Sequence, residues 1–165
     1  MTRVYVSIGS NINRRQHINA CLDALHGHFA PLVLSPVYES ESVGFAGDNF
    51  YNLVAGFATQ LSVAALAQIL RDIEEANQRD RSGPRFSART LDIDILTYGD
   101  VVGLVDGVQL PRPEIVDNAF VLLPLADIAG AERHPLLRKT YARLWRDYDQ
   151  ARQKLWAIPF CWRPH

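Results

Sequence analysis

A chain of 165 residues, 48% of them hydrophobic and with a formal net charge of −1, is long enough for one compact domain with a real core and too short for two full ones. The balanced charge lacks the basic excess of a duplex-binding module, which argues against nucleic acid as the main partner. No apolar run is long enough to cross a bilayer, no signal-type apolar segment follows Met1, and the two cysteines, Cys21 and Cys161, make no disulfide framework; a reducing, cytoplasmic setting with no membrane partner is the expectation.

In chain order, Arg3 to Ile8 alternates, with Val4, Val6 and Ile8 on one side, and predicts a strand broken by Gly9-Ser10-Asn11. Asn13 followed by Gln16 has the form of a capping box, and Ile18, Cys21, Leu22, Leu25 and Phe29 then keep helical spacing, with Cys21 as a small core residue. His17, His26 and His28 fall on or near this helix and read as surface residues. Leu32 to Tyr38 is a second extended segment, and Ser40 to Asn49 a polar loop. Phe50 to Thr59 is a third strand, with Tyr51, Leu53, Ala55 and Phe57 on one face and Phe50, Asn52 and Val54 on the other. Ser62 is placed to cap a helix whose stripe is Val63, Leu66, Leu70 and Ile73 and which fades near Arg79. Asp80 to Ala88 is a loop broken at Gly83-Pro84, and Leu91 to Tyr98 a fourth strand. The order β-α-β-β-α-β is that of a ferredoxin-like α+β sandwich, with two helices over one face of an antiparallel sheet. Asn118 to Ala129 and Leu137 to Tyr148 form a C-terminal helical extension; the tail from Ile158 carries no assignable period. Without a linker or repeat, residues 1–165 read as one domain.

The chemistry concentrates between Arg79 and Asp94. Asp92 and Asp94 lie two apart on a strand, so both side chains leave on one face while Leu91, Ile93 and Ile95 point to the core. Neighbouring carboxylates repel, and a divalent cation removes that cost; magnesium suits such a pair, since it takes few carboxylates and completes its shell with water and phosphate oxygens. Taken alone, the two acids better describe a solvated strand edge. Arg79, Arg81, Arg85 and Arg89 beside them change the balance, because guanidinium forks grip phosphate oxygens in pairs and keep their charge. The glycine and proline among them suit a flap that closes over a nucleotide. A P-loop, a kinase H-R-D, an H-E-x-x-H and a G-x-S-x-G elbow are all missing.

Arg89-Thr-Leu-Asp-Ile-Asp-Ile-Leu-Thr-Tyr-Gly resembles the signature of the 6-hydroxymethyl-7,8-dihydropterin pyrophosphokinases, a folate-pathway family. Val6-Ser-Ile-Gly-Ser-Asn, Phe50-Tyr-Asn-Leu-Val, Leu110-Pro-Arg-Pro and Asn118-Ala-Phe-Val-Leu-Leu-Pro-Leu-Ala are similar to its other segments, so the likeness spans about residues 4 to 129. The resemblance implies a ferredoxin-like fold that binds ATP and two magnesium ions beside a pterin. It implies Asp92 and Asp94 as metal ligands near the pterin hydroxyl, and Arg79 and Arg89 as arginines engaging phosphates at the transition state. Glu74, Arg81 and Ile95 match nucleotide-side positions. Ser40, Val43, Phe50, Asn52, Phe86 and Phe120 match a pterin pocket in which two rings sandwich the flat bicycle; for Phe120, plain core packing is an equal alternative.

Departures fall mainly on the nucleotide side. Arg112 stands between the late prolines where the family usually has histidine, Asn118 where it has arginine, and Arg71 where it has glutamine. Arg112 and Arg71 are able to take over phosphate contacts, which puts Arg112 among the expected ATP-binding residues; they equally suit a paralogue that binds pterin or nucleotide without efficient turnover. A ferredoxin-like RNA-binding domain, with Phe50 stacking bases, is a weaker alternative that the charge balance opposes. The expected partners are ATP and a hydroxymethyl dihydropterin, with a monomer favoured.

Overall fold

The computed structural model describes residues 1–41, 48–77 and 90–164. Its centre is an antiparallel six-stranded sheet in the order β5–β1–β4–β3–β8, with the short β2 also paired to β4. The strands are β1 (Thr2–Ser10), β2 (Val33–Leu34), β3 (Val37–Ser40), β4 (Phe50–Thr59), β5 (Asp92–Tyr98) and β8 (Leu155–Ile158). Between them run α1 (Arg14–Phe29) and α2 (Val63–Ala76), so the β-α-β-β-α-β order read from the sequence holds. The second expected strand is split, because Pro36 has no N–H to give a ladder. β6 (Gly103–Val105) and β7 (Val108–Leu110) form a separate hairpin, turned by Asp106 and Gly107 at positive φ of 50° and 82°. An Asp-Gly pair between apolar runs is the usual mark of such a turn.

Alternation in the strands sorts side chains between two cores. Val4, Val6, Ile8, Tyr51, Leu53, Ala55, Phe57, Ile93 and Ile95 face α1 and α2, where Ile18, Leu22, Leu25, Leu66 and Leu70 are buried against them. Phe29 and Phe57 stack there with ring centroids 4.3 Å apart. Cys21 is buried in this core, as its place in the apolar stripe predicts. On the opposite face Tyr5, Val54 and Leu96 meet Ile115, Leu122, Leu125 and Tyr141. These come from α3 (Glu114–Asp117), α4 (Ala119–Ala129) and α5 (Tyr141–Asp147). The C-terminal extension is therefore the second covering layer of the sheet, and Val54 is sealed beneath it. Among the described residues no helix is long and apolar enough to cross a membrane.

Caps follow the sequence only in part. The Ser62 hydroxyl accepts the Ala65 N–H at 3.2 Å, and the Asp106 carboxylate takes that of Ala64 at 3.1 Å. The capping box at Asn13 does not form: Asn13 is left-handed, at φ 45°, and its side chain makes no cap bond. His17 is not a surface residue. It is buried against the end of α2, where its Nδ1 lies 2.8 Å from the Asn77 amide oxygen. α5 begins at Tyr141 rather than Leu137, because residues 134–139 are tied into a turn in which the His134 imidazole accepts the N–H groups of Leu136 and Leu137.

Candidate active site

The register of three strands assembles the site. In β1, Gly9 pairs with Asn52 of β4 on one side and with Asp92 of β5 on the other; Ser7 likewise lies between Val54 and Asp94. Directly paired residues project to the same face, so Phe50, Asn52, Asp92 and Asp94 share the face covered by α3 and α4. The Asn52 and Asp92 positions are two strand spacings apart, about 9–10 Å. The residue between them has no side chain. A Cβ on Gly9 would lie 3.1 Å from the Asn52 amide oxygen and 3.7 Å from the Phe50 ring, so glycine keeps the floor between the two halves open. In the sequence Gly9 reads as a strand breaker within the Val6-Ser-Ile-Gly-Ser-Asn segment of the resemblance, with no sign of its place between Asn52 and Asp92.

On one side of that floor, Asn52 and Ser40 are buried, and the Asn52 amide donates to the Ser40 hydroxyl at 2.7 Å. Phe50 is half-buried at the start of β4. Phe120, in the first turn of α4, is half-buried against the second core, so it serves packing while keeping part of its ring open.

On the other side, Asp92 and Asp94 are both partly exposed and alternate with buried Ile93. The Asp94 carboxyl is pushed up to about 7 by desolvation first and by Asp92 second, with Glu74 and Glu114 adding to the rise and Arg112 opposing it. Its side chain keeps 38% of its exposure: protein crowds around it, yet the recess stays open to water. Two acids sit together in an open recess, one reluctant to ionise, and a divalent cation bound there would relieve their repulsion. Among the described residues no group of three or more His, Cys, Asp or Glu converges on one point.

Arg112 is fixed from three directions. Its N–H donates to the Leu96 carbonyl at 2.8 Å, its Nε donates to the Ile95 carbonyl at 3.0 Å, and its Nη2 reaches to 3.7 Å from Asp94. The Ile95 side chain itself is in the core, leaving only its backbone near the site. Glu74 is 4% exposed and accepts the Ile93 N–H at 2.8 Å. Since β5 is the edge of the sheet, this bond from α2 holds the strand that carries both aspartates. A buried glutamate on a helix gives no sequence sign of such a role. Arg71 lies exposed on α2 and donates to Gln68 at 3.0 Å. Val43, Arg79, Arg81, Phe86 and Arg89 lie outside the described residues.

The fold is an antiparallel ferredoxin-like α+β sandwich with an acidic pair on its edge strand and a buried amide two strand spacings away. The family model described as 7,8-dihydro-6-hydroxymethylpterin-pyrophosphokinase (HPPK) matches residues 5–130, and the chain belongs to this family. It is 38% identical over 137 residues to the 2-amino-4-hydroxy-6-hydroxymethyldihydropteridine pyrophosphokinase of Pseudomonas aeruginosa, covering 81% of this chain and 84% of that one. The protein of the same name from Bacillus subtilis is 32% identical over 128 residues, covering 75% of this chain and 76% of that one. Among solved structures, a Plasmodium falciparum HPPK-DHPS triple mutant with STZ-DHP superposes with a TM-score of 0.70 at 14% identity, over 88% of this chain. The chain spans 43% of that longer protein, and the likeness shows the shared fold.

Proposed function

We propose that this chain moves the diphosphate of ATP onto the hydroxyl of 6-hydroxymethyl-7,8-dihydropterin, releasing AMP, as a step of folate biosynthesis, and that residues 1–165 do this as one domain. The observation that carries the reading is the transverse row Asn52–Gly9–Asp92. It sets a buried amide able to read the polar edge of a pterin one open strand away from two carboxylates able to hold metal-bound phosphates.

The residues divide the work. Asn52 and Ser40 orient the bicycle, and Phe50 and Phe120 stack on it, with Val43 and Phe86 completing the pocket. Asp92 and Asp94 would hold two magnesium ions, which neutralise the triphosphate charge when bound; the open recess and the upward-shifted Asp94 fit them. Arg112, already aimed at Asp94, and the loop arginines Arg79, Arg81 and Arg89 engage phosphate oxygens, with Ile95 offering its backbone to the nucleotide. Glu74, assigned to the nucleotide side by resemblance, holds β5 in this fold and so keeps both acids in register. The hydroxyl oxygen attacks the β-phosphorus and the bond to the α-phosphate oxygen breaks. Such transfers rest on alignment and charge compensation rather than on a covalent intermediate.

An assay for AMP with ATP, magnesium and the hydroxymethyl dihydropterin tests the reading. AMP formation that requires both the pterin and the metal supports it; no AMP above background at high protein concentration removes it.

A further inference from the structure

The segment after residue 147 reaches back to the proposed pterin side twice. α4 has no side-chain cap of its own: Asn118 precedes it in an extended conformation and makes no cap bond. A helix start leaves N–H donors that need partners. Here the Ala119 N–H donates to the Gln153 side-chain oxygen at 2.7 Å, and the Gln153 amide donates to the Asn118 side-chain oxygen at 3.1 Å. Tyr148 adds a bond from its hydroxyl to the Asp117 carbonyl at 3.0 Å. Two residues beyond Gln153, β8 begins, and it pairs Leu155 with Ser40 and Trp156 with Glu39 on the outer edge of β3. The chain then crosses α1, where Arg15 donates to the Pro159 carbonyl at 3.0 Å and the Trp162 indole to Asp23 at 2.8 Å. The C-terminal partners in these contacts, from Tyr148 to Trp162, lie beyond residues 5–130, the stretch matched by the family model.

We propose that Gln153 is a positioning residue for the pterin pocket: it closes the start of α4 and so fixes Phe120, while the adjoining β8 fixes Ser40. Ala119 immediately precedes Phe120, so a loose first turn moves that ring directly. A side-chain amide suits the task because it accepts from the helix and donates to Asn118 at once. Gln153 bonds the turn that carries Phe120 and makes no bond to Asp92, Asp94 or Arg112, so its effect is expected chiefly on the pterin. The inference rests on the proposed function for the identity of the ligand.

The test is a calorimetric titration of hydroxymethyl pterin, with magnesium and a non-hydrolysable ATP analogue present, into the full chain and its Gln153→Ala and Gln153→Glu variants. Amide hydrogen exchange over residues 118–121 is read in parallel. Gln153→Ala is expected to weaken pterin binding about five- to tenfold, the scale of one lost hydrogen bond, and to speed exchange at 118–121. Affinity for the ATP analogue alone stays within about twofold. Gln153→Glu keeps the acceptor at a helix N-terminus and is expected to restore pterin affinity to within about twofold of the parent. Unchanged pterin affinity in Gln153→Ala, or equal losses for pterin and nucleotide, overturns the proposal. A parent chain that binds no pterin contradicts the proposed function instead, and the clamp is then judged on hydrogen exchange, where unchanged protection at 118–121 overturns it. Gln153→Met, of similar length without the polar atoms, replaces the alanine variant if that one does not fold.

Discussion

Replacing Asp94 by asparagine separates stability from catalysis and does so with a definite dependence on pH. Burial and the neighbouring Asp92 push the Asp94 carboxyl up to about 7 in the fold, from an ordinary value of 3.8. A folded-state value above the unfolded one means that the fold holds a proton the unfolded chain has already lost. The unfavourable contribution is thus absent below about pH 4, grows as the pH rises, and is complete above about pH 7. Because 38% of the side chain remains exposed, solvent screening cuts the linkage energy to about 1–2 kcal/mol. Without metal, Asp94→Asn should therefore be the more stable protein at pH 8, by roughly 3–6 °C in Tm for a chain of this size. The two melting curves should converge toward pH 4–5. Magnesium with an ATP analogue should raise the Tm of the parent and leave the variant nearly unmoved. AMP formation should fall by about a thousandfold or more, since a lost metal ligand removes several kcal/mol of charge stabilisation. Thermal melts across pH in a chelating buffer, with the AMP assay on the same samples, check both halves. A variant no more stable than the parent at pH 8, or one keeping a tenth of the turnover, would refute the reasoning.

Gly9→Ala puts a methyl 3.1 Å from the Asn52 amide oxygen; the KM for pterin should rise about tenfold while that for ATP stays within twofold, because only the amide must shift. Glu74→Ala leaves the Ile93 N–H without its acceptor at the sheet edge; the cost of about 1–3 kcal/mol should appear as a Tm lower by roughly 3–10 °C, and turnover should fall as β5 loosens. Arg112→Ala removes the guanidinium 3.7 Å from Asp94; the KM for ATP should increase about tenfold with the pterin KM little changed, as steady-state kinetics would record.

Much of this fold was legible because its strands alternate cleanly. The pattern Tyr51-Leu53-Ala55-Phe57 against Phe50-Asn52-Val54 is the division between the two cores. The Asp92–Asp94 spacing carried over intact, since a period of two survives any packing of the strand. What stayed hidden depends on partners distant in sequence. Gly9 reads as a break until β4 and β5 flank it. Glu74 and His17 are polar residues on amphipathic helices, where solvent is the default, and only the approach of β5 and of Asn77 buries them. β8 is four residues without a turn signal, paired to a strand more than a hundred positions earlier, and Gln153 caps a helix 34 residues away. Short elements of this kind take their structure from the neighbour they complete.

Manganese binding followed by electron paramagnetic resonance, in the presence of a non-hydrolysable ATP analogue, bears most directly on whether Asp92 and Asp94 together seat the cations that bridge the phosphates. The parent chain should bind two ions tightly, and Asp92→Asn combined with Asp94→Asn should lose tight binding while still melting cooperatively. Equal stoichiometry and affinity in the parent and the double variant would contradict the account.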